Sequence, residues 1–154
     1  MTSLAELYGQ TWIEILGLNG RDRVLSPCAT GMVGEWPWPG ASTAWIITAE
    51  NPLGAGLSVP ENVERMAQLD ERLDELGGRS WHCVGVGHTD DPAQPLWTEQ
   101  SRLLLGADDD AVLTLARQFE QNAVFRWTPQ QREVFPVCKP VRLVQGWSLE
   151  PLIR

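Results

Sequence analysis

Between Thr43 and Trp127 the spacing of apolar residues changes from strand-like to helical and back twice. This order constrains the fold more than any other feature of the chain. Thr43 to Ala49 is an apolar run without polar alternation, which predicts a strand covered on both faces. Glu50-Asn51-Pro52 stops it, because the residue before a proline avoids the helical region. Ser58-Val59-Pro60-Glu61 is a capping-box pattern, and Pro60 is tolerated in the first turn of the helix that follows. Val59, Val63, Met66, Leu69, Leu73 and Leu76 form one face of that helix, and Gly77-Gly78 ends it. Ser80 to Gly87 and Glu99 to Leu105 read as strands, joined by a polar turn from His88 to Leu96. Asp108-Asp109-Asp110 opens a second helix, with Val112, Leu115, Ala116 and Phe119 as its buried stripe, and Asn122 to Trp127 is a fourth strand.

Strand, helix, strand, strand, helix, strand is the order of a ferredoxin-like split βαβ (βαββαβ) antiparallel sheet, so an α+β fold is expected. Both helices would lie on one face. If Ala44 and Ile46 faced them, Trp45 and Ile47 would point to the other side. The flanking segments are expected to cover that second face. Leu4 to Leu16 carries a helical stripe weakened by Gly9, and Gly17 to Gly40 reads as irregular, ending in Trp36-Pro37-Trp38-Pro39-Gly40. Arg132 to Val137 fits a hairpin strand, and Val141 to Val144 a last short one. The 154 residues make one domain, divided into an N-terminal part (1–40), a core (43–127) and C-terminal strands (128–154).

Composition narrows the function classes. With 20 acidic against 12 basic residues, the net charge of -8 disfavours a nucleic-acid partner, which is held chiefly by Lys and Arg on phosphates. The first helix of the core, Glu61 to Glu75, holds six acidic and two basic side chains, whereas Ala111 to Arg154 is mildly basic. No apolar run is long enough to span a membrane. Met1 to Ile15 lacks the basic and apolar regions of a signal peptide, and Cys28, Cys83 and Cys138 are widely spaced. A cytoplasmic chain with reduced thiols is therefore expected.

In the expected topology the end of the first core strand lies beside the starts of the third and fourth. Asn51, Asn62, Glu99, Ser101, Gln121 and Asn122 would converge at that edge, as the polar groups of a ligand site must. Four segments there, Trp45-Ile46-Ile47-Thr48-Ala49-Glu50-Asn51-Pro52, Glu61-Asn62, Trp97-Thr98-Glu99-Gln100-Ser101 and Phe119-Glu120-Gln121-Asn122-Ala123, resemble in order and spacing a bacterial family known only as domain of unknown function 3293. The resemblance covers about residues 43–127. It implies shared positions at Asn51, Asn62, Glu99, Ser101 and Gln121, and departs at Glu120, where glycine is more usual. It implies no activity.

Other constellations are weaker. Gly54-Ala55-Gly56 lies between strand and helix, but no Lys or Arg accompanies it, and Glu61 and Glu64 would repel a phosphate. His82 and His88 are too far apart along a strand to share a metal without recruiting Asp90, Asp91 or Glu99, so no metal or cofactor is called for. Trp36 and Trp38 are candidates for protein contact, unless their rings fold back over the sheet. The reading is a small binding domain for a small molecule or a protein partner. The alternatives are an enzyme using Glu99 as general acid or base, and an acidic inhibitor or immunity-type protein.

Overall fold

The computed structural model describes residues 3–88, 92–93 and 96–153. Most of the turn expected from His88 to Leu96, with Asp90 and Asp91, lies outside the described residues. Among the described residues there are eight strands: β1 (Trp12–Leu18), β2 (Arg21–Cys28), β3 (Ala44–Ile47), β4 (Arg79–His88), β5 (Leu96–Leu105), β6 (Ala123–Trp127), β7 (Arg132–Pro136) and β8 (Leu143–Pro151). The helices are α1 (Leu4–Gly9), α2 (Val59–Leu76) and α3 (Asp109–Gln118), with a short 3-10 turn at Pro52–Gly54. The strands close into an antiparallel barrel in the order β1-β2-β8-β7-β6-β3-β5-β4, with β4 pairing back onto β1.

The barrel overturns the expected ferredoxin-like α+β sheet. An open sheet leaves two unpaired edges and one bare apolar face. Here the hairpin β1-β2 pairs with β4, and β7 pairs with β6. With β8 bridging β2 and β7, both edges are joined and the sheet curls around its own core.

Two segments account for the difference. The helix expected from Leu4 to Leu16 stops at Gly9, where a Cβ would lie 2.4 Å from Leu143 Cδ2. The rest is β1, which buries Ile13 and Ile15 inside the barrel. The stretch expected to be irregular contains β2. It leaves β1 through the two-residue turn Asn19-Gly20, with φ of 51° and 84°, between the paired Leu18 and Arg21. The last strand is also longer than expected and starts later, at Leu143.

The core has two layers. Inside the barrel lie Ile13, Ile15, Leu25, Ile46, Leu103, Phe125, Trp127, Val134 and Trp147. Outside it, α2 and α3 press Met66, Leu69, Leu73, Val112, Leu115 and Ala116 onto Trp45, Ile47, Leu104 and Val124. β3 is accordingly buried on both faces, but Trp45 and Ile47 are the residues that meet the helices, while Ala44 and Ile46 point into the barrel. α2 begins with the reciprocal cap foreseen in the sequence: Glu61 N–H donates to Ser58 Oγ, and Ser58 N–H to Glu61 Oε1.

One end of the barrel is filled by tryptophans. Trp36, Trp38, Trp127 and Trp147 stack edge to face with ring centres 5.1–6.3 Å apart, and Trp81 lies against Trp38. The polar residues gather at the other end. Among the described residues no helix is long and apolar enough to cross a membrane.

Candidate functional site

β3 runs into Thr48-Ala49-Glu50-Asn51 at the end of the barrel where β5 and β6 begin. The loop that follows is held open by backbone conformation and by two amides. Asn51 and Leu53 take left-handed φ of 50° and 53°, uncommon for residues with a side chain, and Leu53 N–H donates to Glu120 O at 2.7 Å. Asn51 N–H donates to Asn62 Oδ1 at 3.0 Å, Asn62 Nδ2 to Asn51 Oδ1 at 3.0 Å, and Leu57 N–H to the same Asn51 oxygen at 3.1 Å. Behind the loop, Gln121 Nε2 donates to Glu50 O and Phe119 O, and Arg65 donates to Ala49 O and Phe119 O.

This frame aims Asn51 Nδ2 at Glu99 Oε2, 3.3 Å away. Glu99 forms part of a cavity of about 300 Å³, together with Leu4, Leu7 and Tyr8 of α1, Asn51, Gly54 and Gly56 of the loop, Trp97 and Thr98 of β5, and Asn122. A narrow extension of about 20 Å³ runs from Glu99 into the barrel past Thr11, Ser101 and Gln121. Glu99 stays partly open to solvent, yet its carboxyl titrates at about 7. Burial raises it, the Asn51 hydrogen bond lowers it, and the nearby Glu50 carboxylate raises it further. Burial and the Glu99 charge likewise push the Tyr8 phenol up. Asn122 is buried, and its amide oxygen has no hydrogen-bond partner. An orphaned buried polar atom is costly, and this one belongs to a residue that lines the cavity.

The residues expected at the edge thus separate by role. Glu99, Asn51 and Asn122 line the cavity. Asn62 and Gln121 clamp the loop from behind. Ser101 points into the narrow extension, its hydroxyl donating to Glu99 O at 3.3 Å. Trp36 is half-buried and Trp38 is buried at the opposite end, so as placed the Trp38 ring presents little surface to a partner. Sequence reasoning missed Tyr8, which looked like part of a helical stripe, and Trp97 and Thr98. The one available signal was that Tyr8 is the single tyrosine of the chain.

A larger groove of about 410 Å³ lies between α2 and β5, lined by Glu50, Val59, Val63, Met66 and Arg102 among others. Its polar groups are already engaged: Arg102 forms a double hydrogen bond with Asp70, and Glu50 accepts from Gln100 N–H. Among the described residues no three His, Cys, Asp or Glu side chains cluster as a metal ion would need.

No solved structure matches the chain. Over 81 residues it is 31% identical to the Alpha-glucosides-binding periplasmic protein AglE of Rhizobium meliloti (strain 1021), a stretch that is 51% of this chain and 16% of that protein. The chain therefore spans less than a fifth of the length of that curated relative. Residues 47–124 match the family described as Protein of unknown function (DUF3293), and this half of the 154-residue chain holds Asn51, Asn62, Glu99, Ser101, Gln121 and Asn122. The clamped loop, the half-open carboxyl and the free amide all lie in the matched stretch, and the chain belongs to the DUF3293 family.

Proposed function

We propose that the protein binds a small molecule in the cavity between α1, the Asn51–Leu57 loop and β5. The observation that carries this reading is Glu99: a carboxyl held by Asn51 on the wall of a 300 Å³ cavity, with the unpartnered Asn122 amide on the same wall. Backbone strain at Asn51 and Leu53 supports it, since left-handed non-glycine residues persist where the surroundings over-determine them, often beside a ligand site. The likeness to a protein named for alpha-glucosides covers 16% of that protein, so the ligand class is read from this cavity instead.

The reading is tested by thermal shift against a panel of small polar metabolites. At least one should raise Tm in the native protein and lose that effect in Glu99→Gln and in Asn122→Leu, with circular dichroism unchanged. No stabilising compound across the panel, or a shift indifferent to both substitutions, would sink it. A carboxyl that titrates at about 7 favours a second reading, general acid–base catalysis by Glu99 on the bound molecule. Mass spectrometry of the stabilising compound after incubation decides that point: a product lost with Glu99→Gln supports it, and unchanged compound refutes it.

A further inference from the structure

Among the described residues, the cavity wall carries one carboxylate and no cation. None of Leu4, Leu7, Tyr8, Asn51, Gly54, Gly56, Trp97, Thr98 and Asn122 supplies a positive charge to Glu99. Its titratable neighbours on the packed elements are the Tyr8 phenol of α1 and the Glu50 carboxylate after β3, and neither offsets a negative charge. On β4 the residue paired with Glu99 is Gly85, and β6 is approached through the neutral Asn122. The arginines around this end of the barrel are committed elsewhere, Arg102 to Asp70, and Arg65 and the buried Arg132 to backbone carbonyls. A half-buried carboxylate left without a countercharge is unfavourable, and a positively charged ligand group removes the penalty that an anionic one would worsen.

The remaining walls fit the same occupant. Trp97 and Tyr8 make the wall partly aromatic, and aromatic rings attract cations, while Leu4 and Leu7 offer apolar contact for a short chain. The Asn122 amide oxygen, unpartnered on a residue only 7% exposed, can be turned about its last side-chain bond to accept an N–H.

We propose that the cavity takes a small organic cation, an alkylammonium or alkylguanidinium, with its charged head between Glu99 and Asn122 and its chain against Leu4, Leu7 and Trp97. This rests on the cavity being a ligand site. The test is calorimetric titration of the full chain with n-butylammonium, n-butylguanidinium and, as neutral isostere, n-butanol, each at pH 6 and pH 8 and in buffers of different ionisation heat.

A cation selects the ionised carboxyl. With Glu99 titrating at about 7, the apparent affinity of both cations should rise about tenfold from pH 6 to pH 8, with proton release at pH 7. The pH dependence is read on the native protein, so it does not depend on a variant folding. Glu99→Gln should reduce cation binding to the level of n-butanol. Equal, pH-independent binding of all three probes would overturn the cation assignment and leave a neutral-ligand site standing. Binding of no probe at millimolar concentration would overturn the cation assignment too, and the metabolite panel would then decide separately whether the cavity binds anything.

Discussion

Glu99 is where a single residue reports on the whole site. Its carboxyl is raised in the folded chain to about 7 from an ordinary value of 4.5, so between those pH values the folded state holds a proton that the unfolded state has lost. Stability must then fall as pH rises from about 4.5 to 7 and level off above. The expected contribution is at most about 3 kcal/mol, lessened by the partial exposure of the group. Glu99→Gln keeps an acceptor for Asn51 and removes the charge, so its urea midpoint should vary less over this window and exceed the native midpoint at pH 8. A native midpoint that rises steadily from pH 5 to pH 7 would contradict the assignment. Glu99 was legible in the sequence through its place at a strand start among other polar residues. That its neighbours divide into cavity walls and hidden clamps was not, because Asn51 and Asn62 are alike as sequence and differ only in what the folded loop turns them toward.

At the scale of elements, the end of α3 shows what backbone conformation position 120 must take. The helix ends in a left-handed residue: Glu120 has φ 55°, its N–H donates to Arg117 O at 3.0 Å, and Gln121 N–H reaches back to Ala116 O at 3.1 Å. That double closure is the Schellman motif, and its left-handed position is one glycine occupies without steric cost. Glu120→Gly should therefore raise stability by about 1 kcal/mol, seen as a higher urea midpoint at unchanged slope. A lower midpoint would mean that the Glu120 side chain contributes more than its backbone conformation costs. α2 and α3 were legible because caps and stops are local chemistry. β1 was misread because Trp12, Ile15 and Leu16 continue the helical stripe of Leu4, Leu7 and Tyr8. The Asn19-Gly20 pair was the local signal for the β1-β2 hairpin, a dipeptide whose positive φ values make the two-residue turn.

For the whole molecule, closure depends on contacts between distant segments, and Arg132 concentrates several of them. Wholly buried on β7, it donates to the carbonyls of Leu25, Tyr8 and Thr11 and lies 4.6 Å from the centre of the Phe125 ring. Burial pulls its guanidinium down to about 9, still charged at neutral pH. Arg132→Ala removes the hydrogen bonds to three carbonyls and opens a cavity, and should cost about 3–5 kcal/mol in chemical denaturation. Arg132→Lys should recover only part of the loss, because one ammonium cannot reproduce a planar fork spread over three acceptors. A loss below 1 kcal/mol for the alanine variant would show that closure does not lean on this residue.

The sequence by itself determined the capped helices, the apolar central strands and the convergence of polar residues where β3 ends. The first two follow from local propensity, and the third from the order of the central elements, which pairs β3 with β5 and β6. Only the tertiary structure decided that the sheet closes, that the tryptophans fill one end, and that α1 brings Tyr8 over Glu99. The physical reason is edge satisfaction. Any apolar strand can pair at either exposed edge, and which distant strand takes that place is settled by the shared core they bury together.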